Sequence, residues 1–183
     1  MYRRFQVLPT FIADLITKYF YPDQLYASIY DIDFTKLYES GIKGLILDID
    51  NTLVAHGEKK PDGRTAVLLD KLRDIGFQVC ILSNSTRRRV ARFSAGLGIY
   101  AAAGARKPAS AGFIKAARLM DLELSQICMI GDQIFTDIFG AKRLGIKAIF
   151  TNRISDREIF TVALKRIPEK YILWRFHKNS KSG

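Results

Sequence analysis

Short, mostly apolar runs recur along this chain with room for one helix between each pair, and that spacing restricts the fold more than any other feature. The runs are Ile42–Ile49, Phe77–Leu82, Ile99–Ala103, Ile127–Ile130 and Ile146–Phe150. Continuous rather than alternating hydrophobicity marks strands buried on both faces, as in a parallel sheet covered by helices. The helical segments expected around them are Phe34–Ser40, Arg64–Ile75, Thr86–Ala95, Ser110–Met120 and Thr136–Leu144. In Arg64–Ile75, Leu68, Leu69 and Leu72 share a face, and Gly76 stands where a left-handed residue would close the helix. This alternation specifies an α/β fold of three layers around a central parallel sheet. At 183 residues the chain suits one such core, and no internal repeat or linker divides it.

Open sheets of this kind bind ligands at the carboxyl ends of their strands, near the point where the strand order reverses. Four of the runs lead to polar signals there. Asp48-Ile49-Asp50-Asn51-Thr52 closes the first, Ser83 follows Val79–Leu82, Lys107 follows Ile99–Ala103, and Gly131-Asp132 follows Ile127–Ile130. Carboxylates at i and i+2 crowd like charges into one crevice unless a cation joins them. A carboxylate nucleophile, an acid for the leaving oxygen, a metal and donors for non-bridging oxygens together suit phosphoryl chemistry. Asp48 could then attack, Asp50 could carry the proton, Ser83 and Lys107 could hold phosphate oxygens, and Asp132 could bind the cation. Hard oxygen donors favour Mg²⁺, and no Cys and His cluster suggests zinc. Taken singly, Ser83 also reads as a helix cap and Lys107 as a solvated lysine. Asp137 has two readings, a metal-site acid or a first-turn acid set against the helix dipole.

In order and position these motifs resemble those of the haloacid dehalogenase (HAD) superfamily of phosphatases. DIDNT is similar to its first motif, Ser83 after VCIL to the second, Lys107 in ARKP to the third, and GDQIFTD to the fourth. The resemblance implies a Rossmann-like HAD fold and an aspartyl-phosphate formed on Asp48. Asp50 would serve as general acid and then base, with Ser83 and Lys107 completing the catalytic set. It further implies Mg²⁺ held by Asp48, the backbone carbonyl of Asp50 and Asp132, supported by Asp137. Thr52, Asn84 and Arg106 are the expected substrate-binding residues. Leu53–Leu82 and Asn84–Arg106 leave no room for a lid domain, so the likeness is to the capless, type III branch, with an open site suited to a large or surface-presented substrate. A closer likeness, to the subclass IIIA, YqeG-type phosphatases, rests on Leu8-Pro9, YASIYDID at Tyr26–Asp33, GIKGLILDIDNTLV at Gly41–Val54 and GDQIFTDIFGAKRLG at Gly131–Gly145. That branch includes mitochondrial phosphatidylglycerophosphatases, which implies a role in phospholipid biosynthesis. Two alternatives stay open: a HAD phosphatase for a soluble ester, and a basic RNA- or ribosome-associated binding protein on the same fold.

Charge and termini bear on that choice. With 29 Lys and Arg against 18 Asp and Glu, the net charge of +11 attracts a phosphorylated substrate, anionic lipid or nucleic acid, the last without any RNA-reading motif. Arg87, Arg88 and Arg89 fall in a helix's first turn, where the dipole disfavours cations; they read either as an anion-recruiting rim or as a solvated face. His56 reads as a loop histidine or a substrate contact. Leu8–Phe20 has the spacing of an amphipathic helix, and Tyr171 to Phe176 mixes aromatic residues with cations. Both segments suit either an anionic membrane face or packing on the core. The organisation expected is an N-terminal amphipathic segment over 1–40, a HAD catalytic core over 41–155, and a basic helix and tail over 156–183. Cys80 and Cys128 fall in buried strands and read as reduced. No run suits a membrane span or secretory signal, so the expected place is the cytoplasm, with peripheral contact at the inner membrane face.

Overall fold

A computed structural model of the chain describes residues 10–155 and 160–180. In chain order its elements are α1 (Thr10–Phe20), β1 (Gln24–Tyr26), α2 (Phe34–Glu39), β2 (Gly44–Leu47), α3 (Gly63–Ile75), β3 (Gln78–Ser83), α4 (Arg87–Ser94), β4 (Tyr100–Ala103), α5 (Ser110–Met120), β5 (Ile127–Gly131), α6 (Phe139–Lys142), β6 (Lys147–Thr151) and α7 (Phe160–Ser180). The six strands form one sheet in the order β1-β6-β5-β2-β3-β4, every pairing parallel. This is a Rossmann-like α/β fold, and its strand order reverses at β2. From there the chain runs outward through β3 and β4, then returns to β2's other side for β5 and β6. The crevice therefore opens beyond the carboxyl ends of β2, β3 and β5.

Side-chain alternation divides the core into two layers. Leu45, Leu47, Val79, Ile81, Cys128 and Ile130 face one side of the sheet, with Phe34 and Leu37 of α2, Leu68, Leu69 and Leu72 of α3, and Val90 and Phe93 of α4. Ile46, Cys80, Leu82, Met129 and Ala148 face the other, with Phe113, Ala116 and Met120 of α5, Ala141 of α6 and Ile172 of α7. Because both faces are covered, the strands carry little polar alternation. Both cysteines are free and buried. Gly76 closes α3 at φ 107°, a left-handed conformation that costs glycine nothing.

Three expectations change. The sheet gains β1, placed by Asp23: Asp23 N–H donates to Ala148 O at 2.8 Å, Ala148 N–H returns a bond to Asp23 Oδ2 at 2.8 Å, and Lys142 Nζ lies 2.6 Å from Asp23 Oδ1. The helix expected over Thr136–Leu144 begins as a π-helical turn, Ile134–Ile138, before α6. The strand expected over Ile42–Ile49 pairs regularly only along Gly44–Leu47; at Asp48 the chain donates to Ile130 O (3.1 Å) and leaves the sheet. No lid unit interrupts the path from β2 to β4 among the described residues, which place α3 and α4 there.

The terminal helices pack on the core with part of each left outside it. Phe20 of α1 stacks on Phe139 (4.6 Å between centroids) and meets Phe135 edge-on, while Tyr21 meets Phe176 of α7 edge-on. Phe11, Ile12 and Leu15 remain exposed on α1, as do Tyr171 and Trp174 on α7. Leu8 and Pro9 lie outside the described residues. None of the described helices is long and apolar enough to cross a membrane.

Candidate active site

Each polar signal lands where a strand ends, and four strands bring them together. Asp48 and Lys107 are buried, the Lys107 ammonium lying 2.5 Å from Asp48 Oδ1 and 2.7 Å from Asp137 Oδ1. Asp48, Asp132 and Asp137 each offer a carboxylate oxygen, all within 4.8 Å of one another. Asp137 reaches this point through the π-helical turn, whose wider coil brings residue 137 back beneath the end of β5. Its Oδ2 accepts the Gln133 N–H at 3.1 Å, and a Cβ on Gly131 would stand 2.5 Å from that oxygen. Glycine at 131 is therefore a packing requirement.

The Lys107 segment is held from β3. Lys107 N–H donates to Asn84 Oδ1 at 2.6 Å, and Asn84 Nδ2 donates to Lys107 O at 3.3 Å. Ala105 N–H donates to Ser83 O at 3.1 Å. Ser83 is buried, and its hydroxyl accepts the Ser85 N–H. Asn51 turns the β2 loop at φ 61°, and its carbonyl and side-chain oxygens accept the Ile154 and Ser155 N–H groups.

Asp50 lines the same cleft as Asp48, but its carboxylate is held by partners outside the acid cluster. Arg89 of α4 grips both its oxygens, NH2 to Oδ1 at 2.8 Å and NH1 to Oδ2 at 2.5 Å. Gly57 N–H and His56 Nδ1 reach Oδ1 at 2.9 and 3.2 Å. Burial works to raise this carboxyl, but the Arg89 and Gly57 hydrogen bonds, with the Arg89 and His56 charges, outweigh it and hold it below its ordinary value. At Asp48 burial wins. Desolvation, with the Asp137 charge, pushes it up to about 6 against the pull of Lys107. Burial also works to lower the Lys107 ammonium, yet Asp137 and Asp48 keep it above the ordinary lysine value.

A cleft of about 540 Å³ opens over these groups, lined by Asp48, Asp50, Ser83, Asn84 and Lys107, and further out by Lys59, Arg88 and Arg92. Two expected substrate-binding residues are not part of it. Thr52 is 1% exposed beneath the loop, and its hydroxyl has no hydrogen-bond partner among the described residues. Arg106 is exposed at φ 51° and points its segment's neighbour, Lys107, inward instead. Nothing in the sequence singles out Arg89 and His56 as partners of Asp50. The same holds for Glu169. It is buried on α7 and accepts the Ile134 N–H at 2.8 Å, tying α7 to the turn that delivers Asp137.

Known proteins resemble this chain in sequence and in fold. The haloacid dehalogenase-like hydrolase family profile matches residues 54–145. Over 159 residues the chain is 35% identical to "Probable phosphatase YqeG" of Bacillus subtilis (strain 168), covering 87% of this chain and 92% of that protein. Among solved structures, the cobalt-bound deoxy-D-mannose-octulosonate 8-phosphate phosphatase of Haemophilus influenzae superposes with TM-score 0.51 at 20% identity, over 76% of this chain and 89% of that one. An uncharacterized protein from Listeria monocytogenes serotype 4b gives TM-score 0.51 at 21% identity, over 64% and 85%. At those identities the structural matches speak to fold.

Two predictions follow from the buried charges. An acid whose folded pKa exceeds its unfolded value adds stability at low pH and loses it as pH rises, here between 3.8 and about 6 for Asp48. In chelator-treated protein, Asp48→Asn should raise the melting temperature above about pH 6, with the gain shrinking toward pH ~4; a gain that grows on acidification would contradict the burial effect. Glu169→Leu leaves the Ile134 N–H without its acceptor and should cost about 1–3 kcal/mol in denaturant titration. Glu169→Gln keeps an acceptor oxygen and should recover at least half of that, so equal losses would refute the anchoring contact.

Proposed function

We propose that this chain, which belongs to the haloacid dehalogenase-like hydrolases and is a phosphatase, cleaves phosphomonoesters through an aspartyl-phosphate on Asp48 with Mg²⁺, and that its substrate is a phospholipid headgroup of the phosphatidylglycerophosphate type. The observation that carries the chemistry is the buried Asp48 carboxylate at the floor of an open cleft, with the Lys107 ammonium against it. The three clustered carboxylates fit a small hard cation: they are oxygen donors, buried, and more negative in sum than Lys107 offsets. Asp48, Asp132 and the Asp50 backbone carbonyl would hold it, with Asp137 behind them. Bound there, Mg²⁺ would offset phosphate charge.

The chain's own groups supply the remaining steps. Ser83 and Lys107 hold the equatorial oxygens of the phosphoryl group. Asp48 forms an O–P bond as the bond from phosphorus to the alcohol oxygen breaks, and Asp50 gives that oxygen its proton. The ionised Asp50 then takes a proton from water as the water oxygen bonds to phosphorus and the Asp48 O–P bond breaks, releasing inorganic phosphate. At rest Arg89 favours the ionised Asp50, so Asp50 must first take up a proton from solvent as that grip yields, and the proton it later takes from water recharges it for the next cycle.

Three features support a lipid surface as the place of action. No lid covers the cleft among the described residues, the chain carries net charge +11, and α1 and α7 leave Phe11, Leu15, Tyr171 and Trp174 exposed beside Lys18, Lys170 and Lys178. Tyr171 stacks on Trp174 at 6.0 Å, and Lys178 lies over Trp174, an aromatic and cationic pairing suited to anionic headgroups. The enzyme would then work peripherally on the inner face of the cytoplasmic membrane.

Asp48→Asn should lower Mg²⁺-dependent phosphate release by about three orders of magnitude or more with the fold retained by circular dichroism; wild-type rates would remove Asp48 as nucleophile. Phosphatidylglycerophosphate in mixed micelles should be preferred to soluble esters, and the protein should float with phosphatidylglycerol vesicles less after Trp174→Ser. A large preference for soluble esters without flotation would leave a phosphatase of a soluble substrate.

A further inference from the structure

The cleft continues outward past the catalytic carboxylates, and that outer part is positive. Its volume of about 540 Å³ is far more than one phosphoryl group fills, and Lys59, Arg88 and Arg92 line the outer part. Arg88 and Arg92 stand at i and i+4 on α4, one turn apart on the same face. Arg89 is not available with them, since its guanidinium is engaged by Asp50. Among the described residues, no carboxylate forms an ion pair with Lys59, Arg88 or Arg92. The helix dipole favours Arg92 in the last turn of α4 but not Arg88, which stands in the first turn where cations are disfavoured, so helix stability does not account for Arg88.

Asp50 fixes the direction in which these cations lie. As the proposed proton donor it marks the side from which the alcohol departs, and α4 is the element that meets it there through Arg89. We infer that Lys59, Arg88 and Arg92 form a subsite for a second anionic group on the leaving-group side of the scissile phosphate, so the substrate is a phosphomonoester whose alcohol carries a further phosphate or phosphodiester. The inference rests on the phosphomonoesterase reading and adds to it a specificity determinant with named residues. A lipid's phosphodiester and a soluble molecule's second phosphate present the same chemistry to this rim.

The test compares kcat/KM for three substrates, with Asp48→Asn as the blank: phosphatidylglycerophosphate in mixed micelles, its deacylated headgroup, and phenyl phosphate, which has no second anion. Arg88→Gln/Arg92→Gln should lose about tenfold more on the two-anion substrates than on phenyl phosphate, the combined effect of two partly exposed charge contacts. The wild-type preference for two anions should also fall with added salt more steeply than the variant's. Equal losses on all three substrates, or none, overturn the subsite. If the two-anion arms fall together, the subsite stands, and the micelle-to-headgroup ratio of the wild type tells a lipid source from a soluble one. No release above the blank from any ester would remove the hydrolase reading itself, whereas turnover of phenyl phosphate with equal losses removes only the subsite.

Discussion

The contact on which the rest of this structure depends is the Lys107 ammonium set between Asp48 and Asp137 in the buried end of the crevice. Burying carboxylates at a strand end is costly unless cations and hydrogen bonds compensate, and a pair broken there leaves an uncompensated charge. Much local detail serves this contact. The Asn84 side chain clamps the Lys107 backbone from β3, and the π-helical turn, with glycine at 131, lets Asp137 lie beneath β5. Glu169 anchors that turn to α7, which makes the C-terminal helix part of the scaffold behind the site.

The two acids of the first motif are set apart by their surroundings. Asp48 is buried beside other carboxylates, which raises it to about 6, whereas Asp50 is gripped by a guanidinium that holds it low. Two carboxyls two residues apart are thereby prepared for different work, one shielded on the cleft floor and one on the wall where a leaving group would pass. Positive charge follows the same plan on a larger scale. One lysine neutralises part of the interior, while cations along α4 and the adjoining loop draw anions to the opening.

Hydrophobic runs and strand-end motifs were legible because they depend on local sequence: five of the six strands and the cluster of Asp48, Lys107 and Asp132 follow from apolar spacing and from the rule that parallel sheets bind at their carboxyl ends. β1 was not legible, since three residues show no period and its place comes from Asp23 meeting β6 across the sheet edge. The π-helical turn was also hidden, because an extra residue in a coil leaves the apolar pattern of a short helix nearly unchanged. Arg89 with Asp50, and Glu169 with Ile134, join residues distant in sequence, so they appear only once the chain is folded. Thr52 and Arg106 were named for their adjacency to motifs, and sequence could not show that the loop after β2 buries one while the loop after β4 leaves the other exposed, both away from the cleft lining.

The central claim is that Asp48 is the atom donor to phosphorus. Acid-quenched Asp50→Asn protein, mixed with Mg²⁺ and a turned-over ester and read by peptide mass spectrometry, tests it most directly, because the slowed second step lets the intermediate accumulate. The account predicts one hydroxylamine-sensitive phosphoryl group on the peptide bearing Asp48, absent when Asp48 is also changed to Asn. A phosphoryl group on another residue, or phosphate release continuing with Asp48 replaced, would contradict it.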